Sequence, residues 1–420
     1  MATQRTDLQL QPRPIRYTQN GFRSVSDQDT LSRIDELLLS TSLNLRFQRQ
    51  WVPGSPFLHQ QIIYFRPGES TQAEEVYHGK GLSEDQCLIS ATLEFIERFC
   101  ARALGDETLI KASYLDVEGH ARDPVEFILP LDTCYSPDLP ISWMWGYSLT
   151  REQPVMVPAN LVFCPYFADT PEEEISSSDS NGLAAGNCIE EAILHGLMEV
   201  IERDARLIME YNRLVMPDVS CDPSGSDPVS EVLRVLNRIG IQCWIKDITS
   251  DLAIPSFGVL LRGVCEGKET FGHASGTHLD PEVALVRALT EAIQLYPRCR
   301  NYDAWLGSDP IDHLREPSCE AMRARPDGGF ECDDLKPAIE YCVDLLGRFG
   351  AEVIVVDLSR PEMKFPVVRV CVTNLQPIML PHAPRFSRRL FEVPVLMGYR
   401  DRPLSPEEIV LRELCGYGSS

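Results

Sequence analysis

Glu191, His195, Glu199, Glu202 and Arg206 are spaced four, four, three and four residues apart within the stretch NGLAAGNCIEEAILHGLMEVIERDAR. That spacing sets all five on one helical face. A single polar stripe of this kind is the ordinary wet face of an amphipathic helix. A second copy changes the argument: GLSEDQCLISATLEFIER, residues 81–98, aligns without a gap on GNCIEEAILHGLMEVIER, residues 186–203, with Gly, Glu, Ile, Glu and Arg in register. Both copies end in ExxER. Two glutamates three apart point the same way, so two such helices face to face would gather Glu94, Glu97, Glu199 and Glu202. Four unpaired carboxylates at short range repel. A hard divalent cation relieves that repulsion, and Mg2+ completes its shell with water and phosphate oxygens. A nucleoside triphosphate then fits between the helices, with Arg98 and Arg203 available for phosphate or for orienting the acids.

The elements that must hold these residues also repeat. VALVRALTEAIQ, residues 283–294, follows the small-residue loop ASGTHLD and keeps the first Glu and the Ile, with Gln294 where the second Glu stood. All three segments read as helices by apolar spacing. DTLSRIDELLLS precedes LRFQRQWV and HQQIIYF, VSEVLRVLNRIG precedes QCWIKDI and SFGVLLRG, and KPAIEYCVDLLGRFG precedes AEVIVVDL and PVVRVCV. Each is a helix followed by two strands across a proline-containing turn. The fold class is therefore α/β, with short antiparallel pairs and helices packed on them.

The loops ahead of the helices suit an anion. Gly182, Gly186, Ala184 and Ala185 would let backbone approach a ligand at a helix N-terminus, although a plain left-handed turn and N-cap explain them equally well. No Walker A loop, Rossmann fingerprint, GxSxG, HExxH or DxDxDG pattern is present. His195 reads as lining or buttressing the stripe, and His273 and His278, which flank ASGT, as loop histidines at a surface or cleft.

A net charge of −23 opposes binding to nucleic acid or an anionic membrane and favours a basic peptide or a cation. No apolar run is long enough to span a bilayer and the start shows no signal-peptide core, so the cytoplasm is expected. Among 14 cysteines no two are closer than Cys332 and Cys342, which leaves no zinc knuckle or CxxC pair. Residues 1–15 are expected as a mobile tail, 16–400 as one domain and 401–420 as a C-terminal tail. TPEEEISSSDS, just before Asn181, reads as an acidic loop that either borders a peptide entrance or is simply solvated.

GKGLSEDQCLISATLEFIER, NGLAAGNCIEEAILHGLMEVIERDA and GTHLDPEVALVRALTEAIQ together resemble the three signature segments of the YcaO superfamily. RRLFEVPVLMGYRDRPLS resembles the stand-alone branch paired with a TfuA partner protein. The resemblance implies a YcaO-like fold with its nucleotide site between facing helices. It also implies an ATP- and Mg2+-dependent enzyme that phosphorylates a peptide backbone amide. Azoline formation or thioamidation would follow, in ribosomal peptide biosynthesis or protein modification; an ATP-binding accessory role is the alternative. It assigns Mg2+ to Glu94, Glu97, Glu199 and Glu202, and nucleotide contacts to Asn187, Glu191, Arg203 and Arg287. Arg23 and Thr30 match a basic residue seven positions before a small hydroxyl, with Arg where Lys is common. Ala184 stands where some members carry Ser. The chain ends LCGYGSS with its last proline at Pro406, a departure from members whose proline-rich tail reaches the active site, and the resemblance leaves the catalytic base unassigned. Expected partners are a peptide or protein substrate and a TfuA-like or leader-binding protein, with a homodimer among the permitted assemblies.

Overall fold

The computed structural model describes residues 7–17, 21–41, 43, 45–51, 59–65, 75–265, 267–296, 312–318, 323–324, 330–378 and 383–409. The three expected helix-strand-strand units are all present. The first is α1 (Asp27–Ser40), β1 (Leu45–Trp51) and β2 (His59–Phe65), continued by β3 (Glu75–Gly81) and α2 (Glu84–Cys100). The chain then runs through β4 (Ile110–Ala112), the single turn α3 (Tyr114–Val117), β5 (Ile141–Ser148), β6 (Gln153–Pro158), β7 (Leu183–Ala185) and α4 (Ile189–Asn212). After β8 (Val219–Ser220), the second unit is α5 (Pro228–Arg238), β9 (Gln242–Asp247) and β10 (Ser256–Cys265), continued by β11 (Lys268–Thr277) and α6 (Pro281–Leu295). The third follows α7 (Asp312–Arg315) and β12 (Arg323–Ala324): α8 (Leu335–Arg348), β13 (Val353–Asp357) and β14 (Val367–Val372), with α9 (Arg388–Leu396) after it.

Pairing explains how three units make one site. β1-β2-β3 and β9-β10-β11 are antiparallel three-stranded sheets, each followed directly by its signature helix, α2 or α6. In the larger sheet, β4-β5-β13-β14-β7 with β6 on β5, the strand beside β14 is β7, which comes far earlier in the chain and leads into α4. The third unit is thus discontinuous: α8, β13 and β14 are completed by β7 and α4.

The helices start at capping residues. Ser26 and Asp29 form a reciprocal capping box on α1, Ser83 caps α2, and Asp280 followed by Pro281 opens α6. Helix α4 buries residues on nearly all sides, including Glu190, Glu191, Glu202 and Asp204, because β14, α8, α9 and β11 surround it. Such burial of acids requires partners for each of them.

Several expected loops are structured. Leu183–Ala185 pairs with β14, and Ala274, Ser275, Gly276 and Thr277 belong to β11, so His273 sits in a strand and only residues 278–280 remain as the loop before α6. Both histidines are enclosed: His278 is buried edge-on against Phe22, with ring centroids 4.6 Å apart, and His273 faces Glu210. Residues 7–15, expected as a mobile tail, dock on the protein: Leu8 is buried and Pro14 bridges to Asp334. Leu404, just before the final turn that Ser405 opens, and Ile409, at its end, are buried, so 404–409 is anchored to the protein while 401–403 is exposed. Residues 1–6 and 410–420 lie outside the described residues.

The glycines have a packing role. A Cβ on Gly186 would lie 2.7 Å from Glu191 Cβ and 2.6 Å from the Ala192 nitrogen, and one on Gly81 would lie 2.6 Å from Gln86 Cβ. Both glycines therefore let a strand run straight into the flank of its own helix. Gly182 has φ +79° and its Cβ would meet the Val370 carbonyl oxygen at 2.2 Å. The close approach expected toward a ligand is spent on β14 and α4 instead.

Candidate active site

Helices α2, α4 and α6 and the start of α1 enclose a cavity of about 350 Å³. It is lined by nine of the ten residues singled out as ligands: Glu94, Glu97, Glu199, Glu202, Arg23, Thr30, Asn187, Arg203 and Arg287. His195 lines it as well, as do Gln86, Ser90 and Arg98 of α2. Glu191 does not; it faces a small adjoining space with Phe22, His278 and Met198. Arg206 is also outside the lining and pairs with Glu210 at 2.6 Å.

Glu191 instead organises the wall. Its carboxylate accepts from the Ser24 backbone N–H at 2.7 Å, the Ser24 hydroxyl at 2.8 Å and the Asn187 N–H and side-chain amide at 3.0 and 3.1 Å, with Arg23 3.4 Å away. Burial pushes this carboxyl up, but Arg23 and the hydrogen bonds outweigh it and hold it below the usual range. The other face of the Asn187 amide meets Thr30, whose hydroxyl lies 3.1 Å from Asn187 Oδ1.

The carboxylates are tied by a cyclic pattern. Glu97 on α2 accepts from the Ala185 N–H of β7 at 2.9 Å; Glu202 on α4 accepts from the Ser275 hydroxyl of β11 at 2.8 Å; Gln294 on α6 donates to the His78 carbonyl of β3 at 3.1 Å. Each helix thus reaches, from the same repeat position, the strand that precedes the next helix. In the third copy the reach ends on a carbonyl, which needs a donor, and this accounts for Gln rather than Glu at 294. Glu94 accepts from the His78 N–H at 3.0 Å, and Arg203 lies 3.7 Å from Glu199 and 3.6 Å from Glu202.

Electrostatics differ around the ring. Burial raises Glu97 to about 8 and pushes Glu199 up, with Arg203 opposing the shift and Glu202 adding to it. Glu291 goes the other way: burial opposes its charge, but Lys80 foremost, with Arg203 and Arg206, holds it at about 2. Lys80 and Glu291 form an ion pair in the lining that the residue patterns had not marked out. The available signal was position, since Glu291 occupies in the third copy the place of Glu94 and Glu199, and Lys80 lies in the GKG just before α2.

These residues suit Mg2+ and a polyphosphate. Arg203 Nε, Arg287 Nε and His195 Nδ1 are buried at the cavity without a hydrogen-bond partner, and buried donors ordinarily have one. Among the described residues no three His, Cys, Asp or Glu side chains are arranged to hold a metal between them. The carboxylates rest on protein donors, as above. Mg2+ needs only one or two carboxylates when phosphates and water complete its shell, so the donor set fits. Among the described residues, no helix is long and apolar enough to cross a membrane.

Comparison with known proteins identifies the family. The family described as "YcaO cyclodehydratase, ATP-ad Mg2+-binding" matches residues 78–376. An uncharacterized protein of Methanothermobacter thermautotrophicus is 32% identical over 74% of this chain and 84% of its own length. An "uncharacterized protein in tfuA 3'region" of Rhizobium leguminosarum bv. trifolii is 28% identical over 74% and 79%. Among solved structures, YcaO from Methanopyrus kandleri bound with AMPPCP and Mg2+ superposes with a TM-score of 0.68 at 27% identity, covering 87% of this chain and 95% of that one. A heterocyclase in complex with substrate and cofactor gives 0.81 at 26% identity over 96% of this chain, which spans 58% of the heterocyclase. The chain belongs to the YcaO family, whose cofactors are ATP and Mg2+.

Proposed function

We propose that this protein activates a backbone amide of a peptide by phosphorylating the amide oxygen, so that a nucleophile can replace that oxygen at the carbonyl carbon. The observation that carries the reading is the shared cavity of the two ExxER helices, which gathers Glu94, Glu97, Glu199 and Glu202 beside Arg203, Arg287 and Arg23. ATP supplies the phosphoryl group, and Mg2+ offsets the charge of phosphate and carboxylates.

The chain's own groups have separable tasks. Mg2+ would take one or two of Glu94, Glu97, Glu199 and Glu202, with phosphate and water completing its shell; Arg203 and Arg287 bind phosphate oxygens; Asn187 and Thr30 fix the wall that Glu191 organises. A Cys, Ser or Thr side chain adding to the carbonyl carbon gives an azoline and an external sulfide gives a thioamide, with the amide oxygen leaving as phosphate in both. The family match and the heterocyclase similarity support the cyclodehydratase branch of this reading. The relative beside tfuA supports a TfuA-like partner.

The test is mass spectrometry of a candidate peptide incubated with the purified protein, partner, ATP and Mg2+. Loss of water identifies heterocyclisation and exchange of oxygen for sulfur identifies thioamidation, with ADP and phosphate as coproducts. Glu94→Gln and Glu199→Gln should each abolish the ATP-dependent change while the fold persists. Full activity in either variant would sink the assignment.

A further inference from the structure

Two adjacent glutamates open helix α4, and only one of them touches the wall of the cavity. Glu190 is 1% exposed and faces the other way. Its carboxylate accepts from the Gln11 backbone N–H at 2.9 Å and from Arg13 Nε at 3.3 Å. From there the chain is pinned to the start of α8: the Leu335 N–H donates to the Arg13 carbonyl at 2.9 Å, and the Ile15 N–H donates to the Asp333 carbonyl at 2.7 Å. It then returns through an antiparallel bridge between Tyr17 and Arg23, with the Arg23 N–H 2.9 Å from the Tyr17 carbonyl. The next residue, Ser24, is gripped by Glu191 at 2.7 and 2.8 Å.

The described residues 8–17 and 21–24 therefore form the two limbs of a strap, each anchored by one of two consecutive residues of the same helical turn, Glu190 for the first limb and Glu191 for the second. Arg23 leaves that strap for the cavity. Leu8 and Phe22 are buried in the same apolar cluster as Ile193 and Leu197 of α4, so the two limbs also share a core. A cation held at the end of a short return is only as well placed as the limb it returns along. Ordering a long Arg side chain otherwise costs the full rotamer entropy at the moment of binding.

We infer that Glu190 is a positioning residue for the nucleotide site and that residues 7–17 are its working partner, setting Arg23 and Glu191 through the strap. The inference rests on the reading of the cavity as the ATP site. It assigns a functional role to a stretch whose composition suggested a mobile tail, and it makes Arg13 a remote contributor to phosphate binding.

The experiment measures binding of AMPPCP with Mg2+ by calorimetry to the full chain and to the variants Glu190→Ala, Glu190→Gln and Arg13→Ala, with melting temperatures recorded alongside. Loss of the buried charge-assisted contacts should weaken binding about tenfold in Glu190→Ala. Glu190→Gln keeps an acceptor for the Gln11 N–H and should recover most of that loss. Arg13 is half-exposed, so Arg13→Ala should fold normally and still bind more weakly than the unaltered chain. In turnover assays the defect should fall on the KM for ATP with kcat little changed. Unaltered affinity in both Arg13→Ala and Glu190→Ala would overturn the inference, as would a loss of kcat alone. If the unaltered chain failed to bind AMPPCP, the nucleotide reading itself would fall and this inference with it.

Discussion

Arg287 on α6 donates to Nε2 of His195 on α4 across 2.7 Å, joining the third repeat to the second over the cavity. Arginine has no acceptor and remains protonated, so His195 must present a bare Nε2. Burial, reinforced by Arg287, Arg23, His278 and Lys80, holds its pKa well below the ordinary value. His195 is thus a neutral acceptor that aims Arg287. His195→Gln, which keeps an acceptor, should change AMPPCP affinity by no more than about threefold, whereas His195→Leu should weaken it about tenfold. Equal affinities for the two variants would remove this role.

Buried neutral histidines make stability depend on pH. Burial lowers His273 to about 4 and His278 to about 3, with His195 also well down. Unfolded, each would protonate near pH 6.5, so below that pH the unfolded chain binds more protons and stability falls, by at most about 1.4 kcal/mol per pH unit for each histidine. Glu97, raised to about 8, and Glu199 oppose the trend down to about pH 4.5. Below that, Glu97 and Glu199 no longer oppose it, and the histidines are joined by Glu191, Glu210 and Glu291, whose folded-state values are lowered. The urea midpoint of the metal-free protein should drop from pH 6.5 to 5 and drop faster below 4.5. A midpoint that rises on acidification through this range would contradict the histidine assignment.

Asp204 is fully buried next to Arg203 and is satisfied by Arg389 at 2.8 Å and the Gln376 N–H at 2.8 Å; Arg389 also reaches Asp251 at 2.6 Å. Arg389→Ala would strand that carboxylate and should cost about 3 kcal/mol in chemical denaturation. Combining it with Asp204→Asn should cost less than Arg389→Ala alone, because the uncompensated charge is gone. A double variant less stable than the single one would show that the arginine acts through packing.

The acidic segment before Asn181 divides into exposed and anchored residues. Glu172 and Glu174 are exposed, whereas Glu173 is buried and ion-paired with Lys111. Asp179 is held by Arg369 at 2.9 Å and Arg385 at 3.2 Å, and Ser180 lines the cavity. Glu173→Gln should therefore cost about 1 kcal/mol, and the pair Glu172→Gln with Glu174→Gln less than about 0.5 kcal/mol. If the segment borders a peptide entrance, the same pair should weaken peptide binding at low salt and leave basal ATP hydrolysis alone. Unchanged peptide affinity at low salt would leave it a solvated loop.

Much of the site could be read in one dimension because helical periodicity is local. A spacing of three or four residues puts Glu94 beside Glu97, and Glu199 beside Glu202, whatever else the chain does. The repeat then implied that two such faces are equivalent. Which group each face meets depends on pairings between distant segments. Glu191 stands on the polar stripe and the family resemblance gave it a nucleotide contact, yet Ser24 and Asn187 claim its carboxylate, since the strap returns from α8 to that point. His273 and His278 looked like loop residues because ASGT is small and polar; β10 draws that stretch into a ten-residue antiparallel ladder with His273 opposite Leu260, and His278, just past its end, is buried against Phe22. Lys80 and Glu291 lie 211 residues apart and meet only because α6 faces β3. The third unit borrows β7 and α4 from far upstream, so its completion is a property of the β14 edge and not of any continuous stretch of chain. Local spacing decided which side chains stand together on a helix, and the long-range closure of the three units decided which of them face the cavity.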